Sequence, residues 1–255
     1  MEAHNYDIDI LQQDLRLLSN YLKCDIIRVV GGEPLTHNNI IDILKIIKES
    51  CISNKTSLIT NGLLLSSTND EIWDYVDELE VSLYPISNKA KDIVVESVNK
   101  IANRISKVRL LEYDSFRMPF SNSECCDYEL VKRVYESCQI AHYWRCITLD
   151  NGHIFRCPQS MINALLTNNY NDALNIIDIN SIEMLLNYLE NNKPLNYCRK
   201  CLGSVGTLIE HKQSKKEDWL DHIPVSYDES IDYSYMNKIQ NNYNADMKCM
   251  VRKKV

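Results

Sequence analysis

Cys146, Cys157, Cys198 and Cys201 are the residues whose type and spacing speak most directly of chemistry. Cys146 and Cys157 flank Asn151-Gly152, a pair that tolerates positive φ and favours a tight reversal, so both thiols are expected at the open end of a hairpin. Cys198 and Cys201 stand two residues apart in Tyr197-Cys198-Arg199-Lys200-Cys201-Leu202-Gly203, a spacing at which a bent backbone aims both sulfurs at one point. Together the pairs predict a four-thiolate metal site. Its ligand type suits zinc and iron–sulfur clusters alike. A zinc ribbon usually offers two similar tight knuckles, whereas one pair here is separated by a hairpin, which favours the larger 4Fe-4S cubane and leaves zinc as the alternative metal. Four protein ligands close such a site, so its work would be electron transfer or structural support. Arg156, Arg199 and Lys200 adjoin the thiols and offer charge compensation, or simply a solvated surface.

A second group of residues has the character of a ligand rim. Gly31-Gly32-Glu33-Pro34-Leu35 follows directly on the run Ile26-Ile27-Arg28-Val29-Val30. Glycines at a strand's end let backbone groups approach a ligand, the glutamate accepts from an ammonium group, and the proline stiffens the exit, a combination that fits a small zwitterion or a plain structural turn. It lacks the lysine of a P-loop and the glycine spacing of a dinucleotide fingerprint. Thr60-Asn61-Gly62 closes the next strand; Ser82 and Tyr84 on a third and Glu112 on a fourth fall on the same rim, where each could equally satisfy local backbone. His37 reads as a helix-start residue, His153 as a locally bonded side chain, and Tyr143-Trp144 as packing.

These groups need elements to hold them. Ile10, Leu11, Leu15, Leu18 and Leu22 repeat at the helical period over residues 8–23, followed by a strand over 26–30, a helix over 37–50 and a strand over 57–60. Asn69 caps a helix over 70–76; strands over 81–84 and 108–111 enclose a helix over 90–104. The alternation predicts a mostly parallel sheet, open or curved into part of a barrel, with its ligand site beyond the carboxyl ends of the strands. After Tyr113 come a helix over 124–137, the cysteine hairpin, and helices over 161–166 and 182–191, a small unit that a bound metal would help to fold. From residue 210 the periodicity weakens through Lys215-Lys216-Glu217-Asp218 to a basic end, which reads as a peripheral tail with one helix over 235–242 and disorder beyond.

The 255 residues carry a formal net charge of −7 without a long basic run, which argues against a nucleic-acid scaffold or an anionic membrane surface. No apolar run is long enough to span a bilayer and Met1-Glu2-Ala3-His4-Asn5 opens no signal-peptide pattern, so a cytoplasmic location is expected. The ten cysteines then read as free thiols or ligands before disulfides. Cys24, Cys51 and Cys138 occupy ordinary places for a small buried hydrophobe, Cys125-Cys126 is an adjacent pair, and Cys249 stands in the tail; Cys126 or Cys249 would be the exception if a second site existed.

Taken together, Gly31-Gly32-Glu33-Pro34, Thr60-Asn61-Gly62 and the set Cys146, Gly152, Cys157, Cys198 and Cys201 resemble the radical S-adenosylmethionine (radical SAM) superfamily, with an auxiliary cluster domain of the short twitch type related to SPASM. The resemblance covers about residues 8–209. It implies a partial (β/α)6 barrel, here without its first strand, joined to a small cysteine-rich α+β cluster domain. The implied divisions are a truncated α/β domain over 1–140, a twitch-like domain over 141–209 and a tail over 210–255. It further implies that Gly31, Gly32 and Glu33 hold the amino group of S-adenosyl-L-methionine, that Asn61 and Ser82 line the cofactor, and that the four cysteines ligate an auxiliary 4Fe-4S cluster. The Cys146 to Gly152 gap is shorter than the family's usual one. The family's C-x3-C-x2-C loop, which generates its radical, would precede the first helix, and no cysteine occurs before Cys24.

Two functions follow as expectations. In the first, this is the major part of a radical SAM oxidoreductase or modifying enzyme acting on a small molecule or peptide, served by a reductase or a complementary N-terminal fragment. In the second, it is a degenerate, non-catalytic iron–sulfur protein that binds a peptide, metabolite or partner protein. The residues name neither substrate nor reaction.

Overall fold

The computed structural model of the chain describes residues 5–211 and 223–250, with backbone alone from 242 onward. These fall into two compact units, one formed by residues up to Asp114 with Asp150–His153 and Asn175–Leu186, the other by Ser115–Leu149, Ile154–Leu174 and the chain from Asn187.

The first unit is built on a four-stranded parallel sheet in the order β1-β2-β3-β4, with β1 Ile27–Val29, β2 Thr56–Thr60, β3 Glu78–Leu83 and β4 Lys107–Glu112. Its connections contain α2 (Ile40–Glu49), the 3-10 turn Asp70–Asp74 capped by Asn69, and α3 (Asn88–Ile101). Alternate strand residues Leu79, Val81 and Leu83, with Leu58, bury against Leu44 of α2 and Val94, Val98 and Ile101 of α3. This is the period-two and period-3.6 match that a helix-covered sheet requires. On intervening positions Glu80 and Arg109 face each other across the register and pair at 2.7 Å. α1 (Ile8–Leu18), capped by the Asp7 carboxylate, buries Leu11, Leu15 and Leu18 and packs on α2.

The hairpin of β6 (Thr148–Asp150) and β7 (His153–Phe155), joined in its sheet by β8 (Ala173–Asn175), reverses through Asn151 at φ 35° and Gly152 at φ 80°, the two left-handed positions that a two-residue turn demands. Its tip belongs to the first unit. Buried Asp14 accepts from Gly152 N–H at 2.8 Å and from the Tyr6 hydroxyl at 2.5 Å.

In the second unit β5 (Ser115–Arg117) pairs antiparallel with β9 (Leu208–Glu210), and the pairing continues as a bridge between Phe120 and Cys201. α4 (Tyr128–Glu136) and α7 (Tyr233–Met250) contribute Val131, Val134, Met236 and Ile239 to a core that also holds Met118, Leu202, Val205, Tyr227 and Ile231. The stretch expected as a peripheral tail therefore supplies four residues of this core, and helix continues to Met250 where disorder was expected beyond 242. Lys215-Lys216-Glu217-Asp218 and the side chain of Cys249 lie outside the described residues. α5 (Pro158–Thr167) belongs to this unit and α6 (Ile182–Leu189) straddles the division. Among the described residues no helix is long and apolar enough to cross a membrane.

Candidate metal centre and ligand rim

Cys198 lies in the 3-10 turn Asn196–Arg199 of the second unit, and the chain around it is tied from two directions. The Asp172 carboxylate accepts from the N–H groups of Asn196 and Tyr197, both at 2.8 Å, and so fixes the start of the turn. The Tyr227 hydroxyl lies 3.1 Å from the carbonyl oxygens of both Cys198 and Cys201 and closes its far side. Cys201 is buried. Gly203, at φ 56°, donates its N–H to Cys201 Sγ at 3.3 Å, and a Cβ built on it would come within 3.1 Å of Cys138 Sγ. Only glycine combines that backbone angle with so close an approach of a thiol on each side.

Cys138 follows α4, and Cys157 stands immediately before α5 with its Sγ 3.6 Å from Ser160 Oγ. Burial is the first cause that pushes the thiols of Cys138, Cys198 and Cys201 upward, because it disfavours the thiolate. The next contribution to Cys198 comes from Cys157, with Cys138 also acting; Cys201 feels Cys198, Cys138 and Cys157. Four thiols thus lie within range of one another's charge. Of the cysteines expected as ligands, the structure brings together Cys157, Cys198 and Cys201. Cys138 acts on the same thiols, and Cys146, in the loop after left-handed Arg145, donates its N–H to Ile140 O at 3.3 Å.

The cations nearby in sequence are engaged elsewhere. The Arg156 guanidinium donates to Asn191 O and, at 2.9 Å, to Lys193 O. Arg199 reaches Cys125 O at 3.4 Å and Lys200 pairs with Glu124 at 3.5 Å. His153 Nδ1 lies 3.0 Å from Asn151 O, and Tyr143 and Trp144 are exposed. Among the described residues no three His, Cys, Asp or Glu side chains gather closely enough to hold a single metal ion.

The rim lies in the first unit at the carboxyl ends of β1 and β2. Glu33 Oε1 accepts from Leu35 N–H at 3.0 Å and from Thr60 Oγ1 at 2.7 Å, and Oε2 accepts from Asn61 N–H at 2.8 Å. With about four acceptor sites on a carboxylate, one remains on Oε2. Thr60 Oγ1 in turn accepts from Gly62 N–H at 3.0 Å, so one chain of bonds locks the two strand ends together. Gly31 and Gly32 are different: neither has a left-handed φ, and a Cβ at either would meet nothing within 4 Å. Among the described residues no contact accounts for glycine at these two positions. Ser82 is buried on β3 opposite Leu111. His37 accepts from Asn39 N–H through Nδ1 at 3.1 Å and, with Thr36, Asn38 and residues 5–9, lines a cleft of about 560 Å³.

No protein-family model matches the chain. It is similar to the GTP 3',8-cyclase of Limosilactobacillus fermentum, with 25% identity over 116 residues that cover 43% of this chain and 35% of the relative. The chain has a distant, partial similarity to a radical SAM enzyme, and the match spans about a third of that relative's length.

Proposed function

We propose that this chain carries the cofactor rim and the auxiliary-cluster region of a radical SAM oxidoreductase or modifying enzyme, with Cys157, Cys198 and Cys201 and a fourth thiolate from Cys146 or Cys138 as ligands of one 4Fe-4S cluster. The observation that supports the reading is that Cys138, Cys157 and Cys198 all act on the charge of buried Cys201. Neutral buried thiols are weak hydrogen-bonding groups and gain little by gathering, whereas thiolates in that position repel unless iron lies between them. The donor set fits such a group: all four are sulfur, and the Gly203 amide already points at one of them.

In the first unit, the open positions above Gly31 and Gly32 and the spare acceptor on Glu33 support the binding of an amino-acid head, with Asn61 and Ser82 lining the same rim. Bound S-adenosylmethionine would supply a carbon-centred radical on one-electron reduction by a cluster whose C-x3-C-x2-C ligands are not among these residues, and the auxiliary cluster would be an electron-transfer centre. The protein's own part is to hold the amino group at Glu33, admit the cofactor where the glycines leave room, and keep the thiols buried. Anaerobic reconstitution with iron and sulfide tests the reading: a broad absorption near roughly 400 nm is expected, and a protein that takes up zinc but never develops this band contradicts it.

A further inference from the structure

Tyr227 is 3% exposed, with its ring in the apolar core of the second unit and only its hydroxyl directed at the cysteine turn. A phenol has one proton to donate, so the carbonyls of Cys198 and Cys201, each 3.1 Å away, share it. Those carbonyls belong to the two residues that present the sulfurs. Holding both constrains the relative direction of their Cα–Cβ bonds, which leaves each sulfur one χ1 rotation to place. Asp172 ties the start of the turn, Cys201 N–H donates to Tyr197 O at 3.0 Å and the Gly203 amide donates to Cys201 Sγ, and Tyr227 adds a side-chain hold on both cysteine carbonyls.

We infer that Tyr227 is a positioning residue that sets the geometry of Cys198 and Cys201 for the cluster, a role that rests on the function proposed above. Tyr227→Phe keeps the ring in the core and removes the shared proton. In metal-free protein, alkylation of Cys198 and Cys201, followed by mass spectrometry against exposed Cys51, should accelerate about three- to tenfold, the range expected for one lost hydrogen bond. In reconstituted protein the same variant should shift the cluster's reduction potential and release iron to a chelator faster by a similar factor, with the unfolding temperature of the metal-free chain nearly unchanged. Installing 3,5-difluorotyrosine at position 227, a stronger donor of nearly the same shape, should move both rates the other way and serves if the Phe variant folds poorly. Unchanged alkylation rates and an unchanged potential overturn the inference. A wild-type chain that takes up no iron overturns the cluster reading instead, and the alkylation rates then still decide whether Tyr227 holds the turn.

Discussion

At the scale of single residues the account turns on which thiols are ligands. Cys138→Ala and Cys146→Ala identify the fourth ligand: one of the two should strip most of the iron from reconstituted protein and the other retain it, as measured by iron per chain; full iron in both would contradict a four-cysteine site drawn from this set. The thiols also set a pH dependence. Burial raises Cys138, Cys198 and Cys201 in the folded chain above the ordinary thiol value, so below about pH 8.5 both folded and unfolded states keep these protons. Above that range the unfolded chain loses them first. Metal-free protein should therefore lose stability as the pH rises from about 8.5 towards 10, read from urea midpoints across that span, whereas metal-loaded protein, whose ligands are already deprotonated, should not follow this trend. The electrostatic link of Cys138 to the other thiols was illegible because a single cysteine after a helix carries no local pattern. Its partners Cys157, Cys198 and Cys201 lie far along the chain, and only the fold brings them near.

At the scale of elements, two glycines give opposite expectations. A Cβ at Gly206 would lie 2.0 Å from Met118 O, a backbone atom that cannot move without disturbing the paired segments, so Gly206→Ala should destabilise the chain by about 2–4 kcal/mol in thermal or urea unfolding. Gly31→Ala meets nothing and should change stability by less than about 0.5 kcal/mol, yet weaken S-adenosylmethionine binding measured by calorimetry. Full affinity in that variant would remove the rim from the cofactor reading. Most elements were legible because their periods are local: the four parallel strands and α1 to α6 fall where alternation and helical spacing put them, with ends differing by a few residues. The exceptions depend on distant pairing. β5 and β9 are three residues each and are defined by each other, and the 3-10 turn Asp70–Asp74 replaces the helix expected over 70–76.

At the scale of the whole molecule, the parallel sheet with its helices was legible from βα alternation, and the distant similarity to a radical SAM enzyme agrees with it. The second unit was not, since Tyr227, Ile231, Met236 and Ile239 reach its core from a stretch whose composition resembles a solvated tail. Weak periodicity there reflects a core assembled from many short segments, each giving one or two residues. The central claim is that this unit is organised around an iron–sulfur cluster, and it is tested most directly by counting iron and acid-labile sulfide in anaerobically reconstituted wild-type and Cys201→Ala protein side by side. The account predicts about four iron and four sulfide per wild-type chain and a severe loss of both in the variant; equal iron and sulfide in the two proteins, or zinc in place of iron in the wild type, would contradict it.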